Sequence, residues 1–193
     1  MATASRKTTP SAAKTDAPRA PAKAAIRKAS AVEATALLRA DHKHVSELFE
    51  QYEETRSQAK KKSLVAEICN ELTVHAQIEE EIFYPAVKAA LKDKEMVPEA
   101  VVEHATLKDL IAQVKDEEPD GEMYDARIKV MSEYVKHHVK EEQDEMFPKA
   151  RGTKLDMEAL GEQMAARKEE LLASLDAPGA KPGMLAKVVE TLT

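Results

Sequence analysis

The sequence predicts an all-α protein: an antiparallel up-down-up-down four-helix bundle with an additional C-terminal amphipathic helix and a disordered basic N-terminal tail. Three observations predict it. Of the 193 residues, 33% are charged, only five are Gly and none is Trp, the composition of a helical chain. Apolar residues, with a histidine in each stripe, recur at intervals of three and four through four successive segments, which is the period of a helix with one buried face. The connections between these segments are short, and short connections join antiparallel neighbours.

The elements follow in order. Residues 1–30 hold seven basic residues against one acid, Asp16, so a net +6 there faces −12 over the rest of a chain whose total is −6. Pro10, Pro18 and Pro21 among Ala and Lys exclude a packed core, and 1–30 reads as a disordered tail, a solubilising extension or a targeting segment. Contact with nucleic acid through phosphates is the alternative reading, although no aromatic residue is interleaved to stack on bases. The bundle occupies 31–150. In its first helix Leu38, His42, Val45, Phe49 and Tyr52 share a face. "TRSQ" breaks that helix and offers Ser57 as N-cap of the second, whose stripe is Val65, Ile68, Leu72, His75, Glu79 and Ile82. Pro85 kinks or ends this helix, which is over by "KDKE". The third spans about 96–117, with Val101, His104, Leu107, Ile111 and Val114 inward, and "EEPDG" is a turn. The fourth carries Ile128, Met131, Val135, His138 and Glu142 and stops near Pro148. Residues 151–176 form the fifth helix, packed outside the bundle or against a partner, and 177–193 are a flexible tail.

Several classes are excluded or disfavoured. No apolar run approaches the roughly 20 residues that a membrane helix needs. The N-terminus lacks the apolar core of a secretory signal, so the expected location is cytoplasmic. The single cysteine, Cys69, forms no internal disulfide, which fits a reducing compartment.

One phrase is written twice. "HAQIEEEIFYP" (75–85) and "HHVKEEQDEMFP" (137–148) align at their prolines, placing His75 over His138, Glu79 over Glu142 and Tyr84 over Phe147. His42 precedes His75 by 33 residues and His104 precedes His138 by 34, so each helical hairpin brings one histidine and one His-x-x-x-Glu pair. Residues four apart are neighbours on a helix, and both pairs lie on the apolar stripe. Burying two carboxylates without compensation costs several kcal/mol each. Cations at the bundle centre remove that cost: two ions can each take two histidines and share two glutamates. Imidazole with carboxylate suits iron, zinc, copper or manganese. Singly, each histidine has an ordinary explanation as a satisfied core residue. The conjunction of four buried histidines and two glutamates under an internal repeat does not.

The other polar residues are expected to play lesser parts. Asp41 and Glu103 sit about 100° round the helix from their neighbouring histidines and read as solvated surface, with outer support of the site or a supplementary ligand as the alternative. Glu80, Glu81, Glu141 and Asp144 read as a solvated acidic face, His44 and His137 as exposed. Tyr134 is a hydrogen-bond donor or core filler, Cys69 a small core residue, and Met123, Met131 and Met146 core filler.

The set His42, "HAQIE" (75–79), "EH" (103–104) and "HHVKE" (137–141) followed by Glu142 resembles the hemerythrin family, specifically its bacterial HHE cation-binding group, over about residues 33–150. The resemblance implies a four-helix bundle with a non-haem di-iron centre, oxo- or hydroxo-bridged, that binds or reacts with dioxygen. It implies His42, His75, Glu79, His104, His138 and Glu142 as ligands, with Glu79 and Glu142 bridging. Oxygen carriers of that family have His-x-x-x-His on the third helix, whereas Lys108 stands four residues after His104 here. The site is one histidine short, leaving more positions open and favouring reactivity over reversible carriage. Ferritin-like bundles use Glu-x-x-His, which is absent. The expected small ligands are dioxygen, peroxide or nitric oxide, with a role in sensing, scavenging or iron handling under stress. A peroxide-reducing or oxidase activity, a DNA-associated stress protein tethered by its basic arm, and a metal-stabilised bundle acting through its fifth helix are the competing functions.

Overall fold

The computed structural model describes Met1 and residues 32–92, 94–115, 117–119 and 121–176. The expected disordered arm and C-terminal tail lie outside the described residues. All regular structure among those described is helical: α1 (Ala34–Glu54), α2 (Gln58–Ile78), α3 (Tyr84–Leu91), α4 (Met96–Val114), α5 (Glu122–Glu141), α6 (Phe147–Arg151) and α7 (Met157–Asp176). Local chemistry sets the boundaries. Glu33 caps α1 by accepting from the Ala36 N–H. Ser57 caps α2 as expected, its Oγ accepting from Lys60 N. Gly121, at φ +83°, adopts the conformation that glycine takes most readily just before α5. Asp156 Oδ1 accepts from Ala159 N at the start of α7.

α2 and α3 are one rod joined by a π-helical turn, Glu79–Phe83, and α5 and α6 are another joined by Glu142–Met146. The N–H of Tyr84 reaches Glu79 O, and that of Phe147 reaches Glu142 O. Pro85 and Pro148 follow directly. A proline inside a helix crowds the carbonyl of the preceding turn and lacks a donor. One extra residue in that turn gives the carbonyl room, so the rods continue to Leu91 and Arg151 rather than stopping at the prolines. Both turns begin at the glutamate of a His-x-x-x-Glu pair.

The four rods form the up-down-up-down bundle, and α7 lies outside it against α1 and α2. Two apolar clusters fill the interior. Leu38, Val74, Ile78, Phe83, Val97 and Phe147 belong to one, and Val45, Phe49, Ile68, Leu72, Leu107 and Met131 to the other. Along every rod the repeated spacing places a histidine between them, so the polar cluster is a layer sandwiched by two oily ones. Each large apolar side chain so buried contributes about 1.5–3 kcal/mol, which is what holds the polar layer in place.

Two sequence expectations are corrected. Val101 is 45% exposed, because the inward stripe of α4 runs through Val97, Ala100 and His104 instead. Met123 is also exposed, because in the first turn of α5 the inward position is taken by its neighbour Tyr124.

Candidate metal centre

His42 on α1, His75 on α2, His104 on α4 and His138 on α5 all reach one buried point between the apolar clusters, with Glu79 and Glu142 from the two π turns. All six are buried, Glu79 at 0% exposure and Glu142 at 1%. The ligand atoms of His42, His75, Glu79 and Glu142 lie within 4.8 Å of one another, as do those of Glu79, His104 and His138. The structure therefore brings together every residue that the sequence singled out for this site.

The histidines meet in pairs, one pair per hairpin. His42 Nε2 lies 3.0 Å from His75 Nε2, and His104 Nε2 lies 3.1 Å from His138 Nε2. Their other ring nitrogens are engaged outward. His75 Nδ1 faces Asp41 at 3.4 Å, His138 Nδ1 faces Glu103 at 2.6 Å, and His104 Nδ1 faces Glu80 at 3.0 Å. A carboxylate only accepts, so these three Nδ1 atoms carry the proton and their Nε2 lone pairs point inward. His42 Nδ1 instead accepts from the Gln143 amide nitrogen at 2.9 Å, the amide oxygen being held by Arg39, so His42 carries its proton on Nε2. In each hairpin the residue before the first histidine (Asp41, Glu103) holds the second one. The residue after each π-turn glutamate (Glu80, Gln143) holds the first histidine of the other hairpin. The supporting contacts thus repeat the pseudo-twofold relation of the ligand set.

Asp41 and Glu103 are accordingly supports for the site and not solvated surface. Glu80 also departs from the solvated face assigned to it: Lys108 Nζ lies 2.7 Å from its carboxylate. Lys108, where carriers have histidine, thus braces the residue that orients His104. Arg39 holds Gln143, and Lys168 of α7 holds Asp41 at 2.6 Å. Glu81 pairs with Arg167. His44 and His137 are exposed as expected, and Cys69 is buried in the core. Sequence reasoning missed Glu80, Gln143 and the hydroxyl of Tyr84. The repeat carried a signal for all three, since Glu80 aligns with Gln143 and Tyr84 with Phe147.

Tyr84 makes the two halves unequal. Its hydroxyl donates to Glu142 Oε1 at 2.9 Å and lies 3.2 Å from His104 Nε2. Phe147, its counterpart, has no hydroxyl and stacks on the His42 ring. Burial, with the charges of Glu79 and Glu142 close by, pushes the Tyr84 phenol well above its usual range, so it keeps its proton.

Electrostatics separates the two central carboxyls. Burial and the Glu142 charge raise Glu79 well above the usual range. Burial would also raise Glu142, but His42, His138 and His75 outweigh it and hold Glu142 low. Burial, helped by His42, pushes His75 down to about 4. Burial acts the same way on His138, but its bond to Glu103 and the Glu142 and Glu79 charges turn the balance upward. Glu79 Oε1 and Glu142 Oε2 have no hydrogen-bond partner. His42 Nε2 lies 3.2 Å from that Oε2, without the alignment of a hydrogen bond. Orphaned oxygens and the inward Nε2 lone pairs of His75, His104 and His138 are what a cation would satisfy, once His42 gives up its Nε2 proton.

Comparison with known proteins agrees with this geometry. A crystal structure of a hemerythrin HHE cation binding domain-containing protein from Mycobacterium kansasii is 27% identical, with a TM-score of 0.64 over 75% of this chain and 90% of that one. A DNA nickase of Nostoc sp. is 28% identical over 111 residues, 58% of this chain. The matched segment spans only 31% of that relative. The family profile of the hemerythrin HHE cation binding domain matches residues 33–150, well over half of the sequence, and the chain belongs to that family.

Proposed function

We propose that the buried cluster holds a non-haem di-iron centre that binds or reacts with dioxygen, peroxide or nitric oxide, in sensing, scavenging or iron handling under stress. His42 and His75 would hold one ion, His104 and His138 the other, and Glu79 and Glu142 would be shared. The observation that supports this best is the two pairs of facing Nε2 atoms, at 3.0 and 3.1 Å, beside two carboxyls with orphaned oxygens. Imidazole and carboxylate together suit iron, and a bound iron pair supplies one-electron redox steps and open positions for a small ligand. The protein's own part is orientation and proton placement. Asp41, Glu80 and Glu103 keep the proton on Nδ1 and the lone pair on Nε2. Tyr84 holds a proton on its hydroxyl against Glu142, and the apolar layers on either side exclude water.

Metal analysis with an optical spectrum, before and after dioxygen and then peroxide, tests the reading. About two irons per chain and a spectral response are expected. His75→Ala and His138→Ala are expected to lower metal content, and His44→Ala to leave it unchanged. Zinc alone, silent to both oxidants, would overturn the redox reading in favour of a metal-stabilised bundle. Peroxide turnover lost in Glu142→Gln would make the protein an enzyme. A second reading, DNA association, is favoured by the basic residues of 1–30 and by the nickase relative. It expects salt-sensitive DNA retention that disappears when residues 1–30 are removed.

A further inference from the structure

The repeat that aligns the buried ligands also aligns the two outer faces beside them, and there the halves have diverged. In the register that sets His104 over His42 and His138 over His75, Glu99, His137, Glu141 and Glu145 answer to Leu37, Val74, Ile78 and Ile82. On the α1–α2 side those four residues are apolar and pack in the cluster that α7 completes with Leu160, Met164 and Leu171. Lys168 and Arg167 of α7 add cations there, on Asp41 and Glu81. That approach to the centre is plugged with oil and positive charge.

On the α4–α5 side the corresponding residues are polar and open. Glu99, Glu103, Glu141 and Glu145 line a cavity of about 60 Å³ whose lining also includes His138 and Glu142. Lys149 stands beside it, 3.3 Å from Glu145. Ligand atoms of Glu103, His137 and Glu141 lie within 4.8 Å of one another. His137 Nε2 is 3.2 Å from Glu141 and 4.0 Å from Glu103. The other oxygen of Glu103 holds His138 Nδ1, so this outer group touches the inner one. Glu142, at 1% exposure, lines the same cavity, and its Oε2, without a hydrogen-bond partner, lies beside His42 in the inner group, so the cavity ends on the buried cluster.

We propose that Glu103, His137 and Glu141 form a second, outer site for a divalent cation, which loads the buried centre through the cavity between α4 and α5. Imidazole and two carboxylates are a ligand set for a first-row divalent ion. A cleft lined by carboxylates focuses the field and raises the local cation concentration, speeding capture by ten- to a thousandfold at low salt. From there Glu142 is the next anionic oxygen inward. The outer ligands, exposed His137 with part-buried Glu103 and Glu141, suit a transit station, where an ion must leave as readily as it arrives. The inference rests on the buried cluster being a metal centre.

The test is stopped-flow uptake of cobalt(II) by the metal-free full-length chain, read by its absorption, with final stoichiometry measured separately. A His137→Gln/Glu141→Gln variant removes two outer ligands that take no part in the buried cluster. It is expected to reach the wild-type stoichiometry about tenfold more slowly and to lose most of the salt dependence of the rate. Glu133→Gln, an exposed acid elsewhere on α5, controls for net charge and is expected to load at the wild-type rate. An unchanged rate in the double variant, or an equal slowing in Glu133→Gln, would overturn the loading site. A reduced final stoichiometry in the double variant would also overturn it, by making the pair part of the inner centre. Failure of the inner reading looks different: the wild-type chain would then take up cobalt no better than His75→Ala.

Discussion

Glu79 is the residue at which fold and function pull hardest against each other. In the metal-free protein it is fully buried, its carboxyl raised by burial and by the Glu142 charge. A carboxyl raised on folding keeps its proton in the folded chain while the unfolded chain gives it up near 4.5. The folded state then binds more protons, so its stability falls as pH rises above that value. Glu79→Gln supplies the neutral shape without the titration. It is expected to stabilise the metal-free protein at pH 7, on the order of 2 kcal/mol, with a gain that shrinks toward pH 4.5. The same variant is expected to lose metal, because an amide neither carries charge nor bridges two ions. Urea melts of the metal-free chain across pH, set beside metal content, check both halves. A destabilised metal-free variant would mean that the carboxyl is satisfied without a cation. Phe147 and Tyr84 make a complementary point, since a single hydroxyl, together with the exchange of Glu80 for Gln143, distinguishes the two ends of an otherwise repeated site.

At the scale of the element, the amphipathic rods and their caps were legible because a 3-4 spacing and a serine at position 57 act locally. The six central residues were legible because a repeat makes independent accidents implausible. What escaped was set by how rods cross. Glu80 and Gln143 sit one residue beyond a ligand, and whether that direction meets solvent or another histidine depends on the neighbouring rod. The π turns were signalled only as prolines, and no spacing rule distinguishes a helix that stops at proline from one that widens and continues. The side on which α7 docks was equally invisible. Gly161 decides part of it: a Cβ there would come within 1.9 Å of the Val32 carbonyl oxygen and 2.9 Å of Ala34 N. Backbone meets backbone at that point, so the contact cannot yield as a side chain would. Gly161→Ala is expected to cost about 1–3 kcal/mol, although alanine favours a helix more than glycine does. A lower melting temperature with faster amide exchange in α7 would confirm the clash. A stabilised protein would show that α7 docks differently.

The whole molecule is a frame that keeps an unfavourable layer between two favourable ones. Apolar clusters on each side hold four imidazoles and two carboxyls in register, and α7 seals one face while the opposite face stays acidic. Such a layer subtracts from stability until a cation fills it, so metal and fold are linked. A ligand bound by the folded chain alone stabilises it by about 2.7 kcal/mol when its free concentration is a hundred times the dissociation constant. For a domain of this size that corresponds to a rise of roughly 5–10 °C in melting temperature. Stripping the metal is therefore expected to lower the melting temperature by at least that much, and returning iron(II) without oxygen to restore it. The restoration is expected to fail in His75→Ala and to persist in His44→Ala, whose imidazole lies outside the layer. Equal melting temperatures with and without metal would require the facing Nε2 atoms and the orphaned carboxyl oxygens to be satisfied by something else. Calorimetry of the two forms at one pH decides between these outcomes, since only the first makes the polar layer a metal centre rather than a strained core.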